Sequence, residues 1–289
     1  MSTINNVLIT GASSGFGKLI AVKLLEQGTT VIATMRDAAG RNAGAAEELK
    51  AAAEGAPGAL HVLEMDVSDV GSVDSAVKQA TETAGPIDVV INNAGIGCGG
   101  QAEAFTAEEF SQILDVNVLG VHRVNRAVLQ GMRERGEGLI INVSSILGRV
   151  AMPFAAPYNS SKWALEGLIE TLRIELTGTG VDVAIVEPGG FMTGFMGNMF
   201  EPGDKDRVAS YGEAADAPEK MWSGFVEAMT AEGAPDPQDV ADAIANLIDK
   251  PAGERPFRTI VDPLMGGAGA AGLNELQEQV QVGIAQNMG

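Results

Sequence analysis

Short apolar runs alternate along this chain with stretches whose apolar residues recur every three or four positions. Val7 to Thr10, Thr30 to Met35, Leu60 to Met65, Ile87 to Ile91, Leu139 to Val143 and Val181 to Val186 read as strands, with Arg258 to Val261 as a candidate last one. The runs are continuous rather than alternating, as in strands covered on both faces, and the helical stretches between them supply the crossovers that parallel neighbours need. The pattern predicts an α/β fold built on a parallel sheet.

The intervening helices carry their own signals. Phe16, Leu19, Ile20 and Leu24 form one apolar stripe that ends near Gly28, and Val70, Val73, Val77 and Ala80 form another. Residues Arg41 to Gly58 read as a short helix with loose flanks. Thr106 opens a long helix with Glu109 three positions on, the pattern of a capping box. Its stripe runs Phe110, Ile113, Leu114, Val118 and Val121, and Asn117 falls on the same stripe, where a buried amide needs partners or a task. A further helix carries Tyr158 and Lys162 and continues through Leu165, Leu168, Leu172 and Leu176.

Regularity lapses over about residues 190–235, an insertion with Met192, Phe195, Met196, Met199, Phe200, Trp222 and Phe225, fit for a substrate lid, a pocket wall or a subunit contact. Asp236 and Pro237 supply the cap and first turn of a helix with Val240, Ile244, Leu247 and Ile248 on one face. A tail over about 264–289 ends in a helix whose face is Leu273, Leu276, Val280 and Ile284. With no internal repeat and no clean linker, residues 1–289 read as one domain.

Charge narrows the partners. Against 38 acidic residues stand 19 basic ones, a net charge of -19, so nucleic acid is excluded as an expected partner. Any anionic ligand must be gathered locally by helix ends and a few cations, which directs attention to Arg36 and Lys18. Cys98 is the single cysteine, and the only histidines are His61 and His122. An internal disulfide is ruled out, and no metal site is expected. The start of the chain has no signal-peptide character and no run reaches the ~18 apolar residues of a membrane span, so a soluble, cytoplasmic setting is expected.

Polar groups collect where the strands finish: the turn Thr10-Gly11-Ala12-Ser13-Ser14-Gly15-Phe16-Gly17, then Asp66, Asn92-Asn93-Ala94-Gly95, Ser144-Ser145, and Glu187-Pro188-Gly189-Gly190. That edge of an open α/β sheet is where ligands bind. Glycines between a strand and a helix let a pyrophosphate approach the helix's first amides. Tyr158 and Lys162, four apart on one helical face, set an ammonium near a phenol and favour its ionised form.

In that order, Thr10 to Gly17, Asn92 to Gly95, Asn117, Ser145, Tyr158, Lys162 and Pro188-Gly189 resemble the short-chain dehydrogenase/reductase family, over about residues 4–262. The resemblance implies a single Rossmann-type, doubly wound sheet, a nicotinamide cofactor, and hydride transfer to a carbonyl or from an alcohol. Tyr158 matches the family's acid/base. Lys162 matches the residue that holds the nicotinamide ribose and lowers the tyrosine pKa. Ser145 matches the serine that polarises the substrate oxygen, with Ser144 as its competitor. Asn117 matches the asparagine whose backbone kink holds a relay water, or else it is a satisfied core amide.

The same resemblance assigns Gly11, Ser13, Ser14, Gly15, Phe16 and Gly17 to the cofactor phosphates and Asp66 with Val67 to the adenine. Asn92, Ala94 and Gly95 fall beside the adenosine ribose, with Asn93 tying strands together, and Pro188, Gly189 and Thr193 flank the nicotinamide. At the end of the second strand stands Arg36, whose guanidinium suits a 2'-phosphate, with Ser13 as a further donor. NADP(H) is therefore preferred, and the neighbouring Asp37 keeps NAD(H) open. The expected activity is NADPH-dependent reduction of a moderately apolar ketone or aldehyde, reversible as an alcohol dehydrogenase, with Met152 and Phe154 across from the insertion. The alternative is a nucleotide-sensing or scaffold protein without catalysis. Resemblance also implies a homo-oligomer.

Overall fold

A computed structural model describes residues 5–264 and 267–288, with side chains to residue 284. Seven parallel strands form one sheet among these residues: β1 Asn6–Thr10, β2 Thr30–Met35, β3 Leu60–Glu64, β4 Val89–Asn92, β5 Gly138–Val143, β6 Val181–Pro188 and β7 Arg258–Val261. Their spatial order is β3-β2-β1-β4-β5-β6-β7. The side on which successive strands are added reverses between β1 and β4, which pair in parallel from Val7 against Val89 to Ile9 against Ile91. A doubly wound sheet has its ligand crevice at this switch.

Apolar alternation explains the layers. In β1, Val7 and Ile9 face α1 (Gly15–Glu26), α2 (Ala43–Ala53) and α9 (Gln238–Asp249), while Leu8 faces α3 (Val70–Ala84), α5 (Val121–Arg135) and α6 (Ala156–Glu175). Each such side chain is fully buried, a contribution of about 1.5–3 kcal/mol apiece before entropy is counted. The second strand and the last one run as expected, and the others differ at their ends by one or two residues.

Three readings change. The helix opened by Thr106 has its capping box, with Glu109 N donating to Thr106 Oγ1 and Thr106 N to Glu109, but it is not continuous. It ends as α4 at Leu114, and a π-helical turn, Asp115–Gly120, joins it to α5 and carries Asn117. Pro237 sits at the cap of α9 rather than in its first turn, while Asp236 Oδ1 accepts from Gln238 N at 2.9 Å. The terminal helix α10 (Gly267–Met288) turns its apolar stripe outward: Leu273, Leu276, Val280, Val282 and Ile284 are 43 to 59 % exposed.

The insertion is largely helical. A 3-10 turn at Met196–Asn198, α7 (Lys205–Ala209), a second 3-10 turn and α8 (Ala217–Thr230) fold over the carboxyl edge of the sheet. Phe200 pairs its backbone with the segment after β4, accepting from Gly99 N at 2.9 Å and donating to Gly97 O at 2.8 Å. No helix of the described residues is long and apolar enough to cross a membrane.

Candidate active site

A cavity of about 790 Å³ opens at the carboxyl edge, across the β1–β4 switch. One end is polar. Gly11 and Gly15 have φ of +67° and +54°, and a Cβ on Gly11 would lie 2.9 Å from Ala94 Cα. Ser14 starts α1 in extended backbone without a side-chain cap, so the first amides of that helix remain available to an anion. Gly17 serves another purpose. A Cβ there would fall 2.5 Å from both Gly11 O and Asn93 Nδ2, so it lets the helix lie against the turn and is itself outside the cavity lining. A pyrophosphate fits this cradle, whose turn can lie against Ala94 only because Gly11 has no side chain.

Thr10 holds the facing loop. Its hydroxyl oxygen accepts from Asn93 N and Ala94 N, each at 3.0 Å, and Asn93 Nδ2 donates to Thr10 O and Gly11 O. Asn93, Ala94 and Gly95 line the cavity. The expected place of Asn92 beside the ribose is corrected: its side chain turns inward and donates to Asn125 Oδ1 at 2.8 Å and Asn142 Oδ1 at 3.0 Å, tying β4 to α5 and β5. Asn93 does tie segments together, and lies at the cavity as well. Neighbours at the end of a strand point to opposite faces, and β4 runs one residue further than its apolar run.

Asp66 and Val67 line the same end with Met35, Arg36, Arg41 and Asn42. Burial works to raise the Asp66 carboxyl, but hydrogen bonds from the Ser68 hydroxyl and amide, with Arg36 and Arg123 nearby, hold it below the usual range. Arg36 is exposed at the rim. Asp37 is outside the lining; its carboxylate accepts from Arg41 N at 2.8 Å and lies against Gly40, while Glu64 accepts from Asp37 N and Ala38 N. Arg41 and Asn42 were not singled out in the sequence, although a second basic residue five positions past Arg36 was a usable sign.

At the centre, α6 brings Tyr158 and Lys162 to the cavity, opposite Ser145 at the end of β5. Ser145 stands close enough to the Tyr158 hydroxyl to act on its ionisation, and its own hydroxyl donates to Pro188 O at 3.3 Å. Ser144 also lines the cavity, but its hydroxyl is directed to Gly148 and the Glu166 side of α6. The Lys162 ammonium is 5.6 Å from the Tyr158 ring centre and donates to Val143 O at 2.9 Å.

The expected lowering of the Tyr158 pKa is not met in the protein by itself. Burial pushes the phenol up to about 12, with the nearby Ser145 hydroxyl working against the rise, and Lys162 does not feature among its influences. Burial likewise pushes Lys162 down to about 8, opposed by Glu166. Asn117 is 1 % exposed, accepts from Ile96 N, and donates to Ile96 O and Ser161 Oγ. Its side chain is thus a satisfied core amide that pins the loop after β4 to α6, and the π turn is the backbone irregularity.

The other end is apolar. Ile96, Cys98, Met152, Phe195, Met196, Met199, Phe200, Trp222 and Phe225 line it, and Phe195 meets Tyr158 edge-on at 5.6 Å. Phe154 lies outside the lining. Burial pushes the Cys98 thiol up to about 11, an inert group rather than a nucleophile. Pro188, Gly189 and Thr193 line the cavity between the two ends, and Phe16 packs edge-on against Phe191 at 5.6 Å. Among the described residues no group of three or more His, Cys, Asp or Glu could hold a metal.

The glycine cradle, the rim arginine and the Ser145–Tyr158 pair together define a nucleotide-binding oxidoreductase site. A family model described as short chain dehydrogenase matches residues 5–203, and the chain belongs to that family. It is an oxidoreductase that acts on CH-OH or C=O groups. "Uncharacterized oxidoreductase YusZ" of Bacillus subtilis is 40% identical over 250 residues, 84% of each chain. "3-ketodihydrosphingosine reductase" of Bacteroides thetaiotaomicron is 36% identical over 261 residues, 90% of this chain and 88% of that one.

Among solved structures, a short-chain dehydrogenase from Streptomyces avermitilis superposes with a TM-score of 0.77 at 30% identity, covering 98% of this chain and 96% of that one. An alcohol dehydrogenase from Thermococcus sibiricus, complexed with 5-hydroxy-NADP, gives 0.70 at 28%, covering 90% and 96%. A family member from Burkholderia phymatum in complex with NAD gives 0.75 at 26%, covering 96% and 94%. The fold is accordingly a Rossmann-type one, and the cofactor is a nicotinamide dinucleotide.

Proposed function

We propose that the chain is an NADPH-dependent reductase of apolar ketones or aldehydes, reversible as an alcohol dehydrogenase. The observation that carries the reading is the convergence of Ser145, Tyr158 and Lys162 on one cavity, at the junction of a polar cradle and an apolar pocket. When bound, the nicotinamide supplies the hydride. Tyr158 donates the proton to the carbonyl oxygen, and Ser145 hydrogen-bonds that oxygen as negative charge develops on it. Lys162, buried and directed to Val143 O, holds the ribose hydroxyls. The backbone of the π turn at Asn117 serves the proton relay.

The preference for NADPH is supported by Arg36 and Arg41 standing together at the rim while Asp37 is engaged by its own loop. A free carboxylate at the rim would accept from a 2'-hydroxyl and repel a phosphate; a pair of guanidiniums does the opposite. Thioether and aromatic walls at the other end favour an uncharged, apolar carbonyl compound. A panel of apolar and anionic ketones and aldehydes, assayed with NADPH and NADH, tests the reading. Turnover of apolar carbonyls with NADPH is expected. Preference for anionic substrates, or for NADH, would contradict it.

A further inference from the structure

Phe195, Trp222 and Phe225 of the insertion wall the apolar end, and each lies against a glycine in the loops at the carboxyl edge of the sheet. A Cβ on Gly97 would fall 2.5 Å from Phe195 Cζ, one on Gly99 2.6 Å from Trp222 Nε1, and one on Gly190 2.8 Å from Phe225 Cε2. Glycine is the default where φ is positive, but none of these three has a positive φ. Their backbone does not call for glycine; the packing of the aromatic side chains does.

Gly99 is itself outside the cavity lining, so it acts on the site through Trp222. The loop that carries it is held firmly. Gly99 N donates to Phe200 O and Gly100 N to Phe154 O, each at 2.9 Å, and Asn117 grips both the N–H and the carbonyl of Ile96. Met199 Cε lies 2.9 Å from the same Cβ position, but the end of a thioether chain turns aside easily. The indole is a rigid plane carried by α8, so a side chain at residue 99 displaces Trp222. The seated indole also has its N–H shut off from solvent without a hydrogen-bond partner among the described residues, a cost comparable to a lost hydrogen bond. Apolar contact therefore keeps it on its glycine, and a ligand that reaches it adds to that contact.

We propose that Gly99 is a positioning residue for Trp222 and thereby sets the substrate range. Its missing side chain lets the indole close the apolar end against the loop after β4, and this closure favours carbonyl compounds large enough to touch the indole. Gly190 gives Phe225 the matching seat, so α8 bears on the loops after β4 and β6 at once. The consequence for substrates rests on the reductase reading above; the seat of the indole does not.

Gly99→Ala tests it in the full-length protein. Trp163, the other tryptophan, is half exposed on α6, and Trp163→Phe leaves Trp222 as the sole indole emitter. In that background Trp222 should emit as an indole kept from water, and Gly99→Ala should move the emission to the red. KM for bulky apolar ketones should rise about tenfold in Gly99→Ala, and less for short ones, while kcat and the Kd for NADPH stay within about twofold. In Trp222→Ala, where no indole remains to be displaced, adding Gly99→Ala should change KM by less than about twofold.

An unshifted emission in Gly99→Ala, or an undiminished rise in KM when it is added to Trp222→Ala, would overturn the proposal. Should Gly99→Ala fail to fold, the Trp163→Phe protein decides by itself. A shielded, poorly quenched indole is expected there, and a water-exposed, readily quenched one would show that Trp222 does not sit on Gly99. A parent protein that turns over no carbonyl compound would fail the reductase reading alone, since the emission still reports the seat.

Discussion

The Lys162 ammonium lies 5.6 Å from the Tyr158 ring centre and gives a hydrogen bond to Val143 O, not to the phenol. In the protein without cofactor, the lysine therefore does not make the tyrosine acidic. Burial pushes Tyr158 up to about 12, and Tyr211, the one other tyrosine, is raised by its hydrogen bond to Glu103. Ultraviolet titration of the protein alone should show no tyrosine midpoint below about pH 10. A phenolate appearing near pH 8 would mean that Lys162 already tunes Tyr158 by itself.

Arg36 and Arg41 share the rim that a 2'-phosphate would reach. Arg36→Ala should weaken NADPH about 10- to 100-fold, in line with about 1.5–3 kcal/mol for a charge-assisted hydrogen bond, and leave NADH nearly unchanged. Arg41→Ala should act in the same direction. Fluorescence titration with both cofactors measures it, and equal losses for the two would remove the phosphate from the account.

Asn92 spends its amide on Asn125 and Asn142. Asn92→Ala leaves two buried carbonyl oxygens without that donor, at a cost of about 1–3 kcal/mol, or a fall in melting temperature of about 2–12 °C for a chain of this size. NADPH affinity at a temperature where the variant is folded should be close to that of the wild type. A large loss of affinity with an unchanged melt would restore Asn92 to the ribose.

Trp222 and Phe225 meet edge-on at 5.7 Å in the apolar wall. Trp222→Ala should raise KM for bulky apolar carbonyls about tenfold or more, since truncating an aromatic wall forfeits over about 1.4 kcal/mol of contact, with a smaller effect on short ones. Steady-state kinetics on a size series decides, and an equal rise across the series would speak for a collapse of the insertion.

Most of the sheet was readable because parallel strands are apolar on both faces, so that Val7-Leu8-Ile9 and Val89-Val90-Ile91 stand out as continuous runs. Tyr158, Lys162, Ser145 and the glycine turn were readable because each motif is local and their order is distinctive. What stayed hidden depends on where a segment is covered. The spacing of Leu273, Leu276, Val280 and Ile284 marks a helical face, but periodicity does not say which face is docked, and here buried carboxylates draw the polar one inward. Arg41 reaches the rim only because the loop from Asp37 folds back on itself, with Asp37 at φ +48°. The choice between Asn92 and Asn93 turned on one residue in the length of β4.

The account rests on Tyr158 giving the proton, and the most direct test is turnover beside cofactor affinity in Tyr158→Phe. Loss of one oxygen should lower kcat by about 10²-fold or more while the Kd for NADPH stays within about twofold. Turnover at the wild-type rate in that variant would contradict the account.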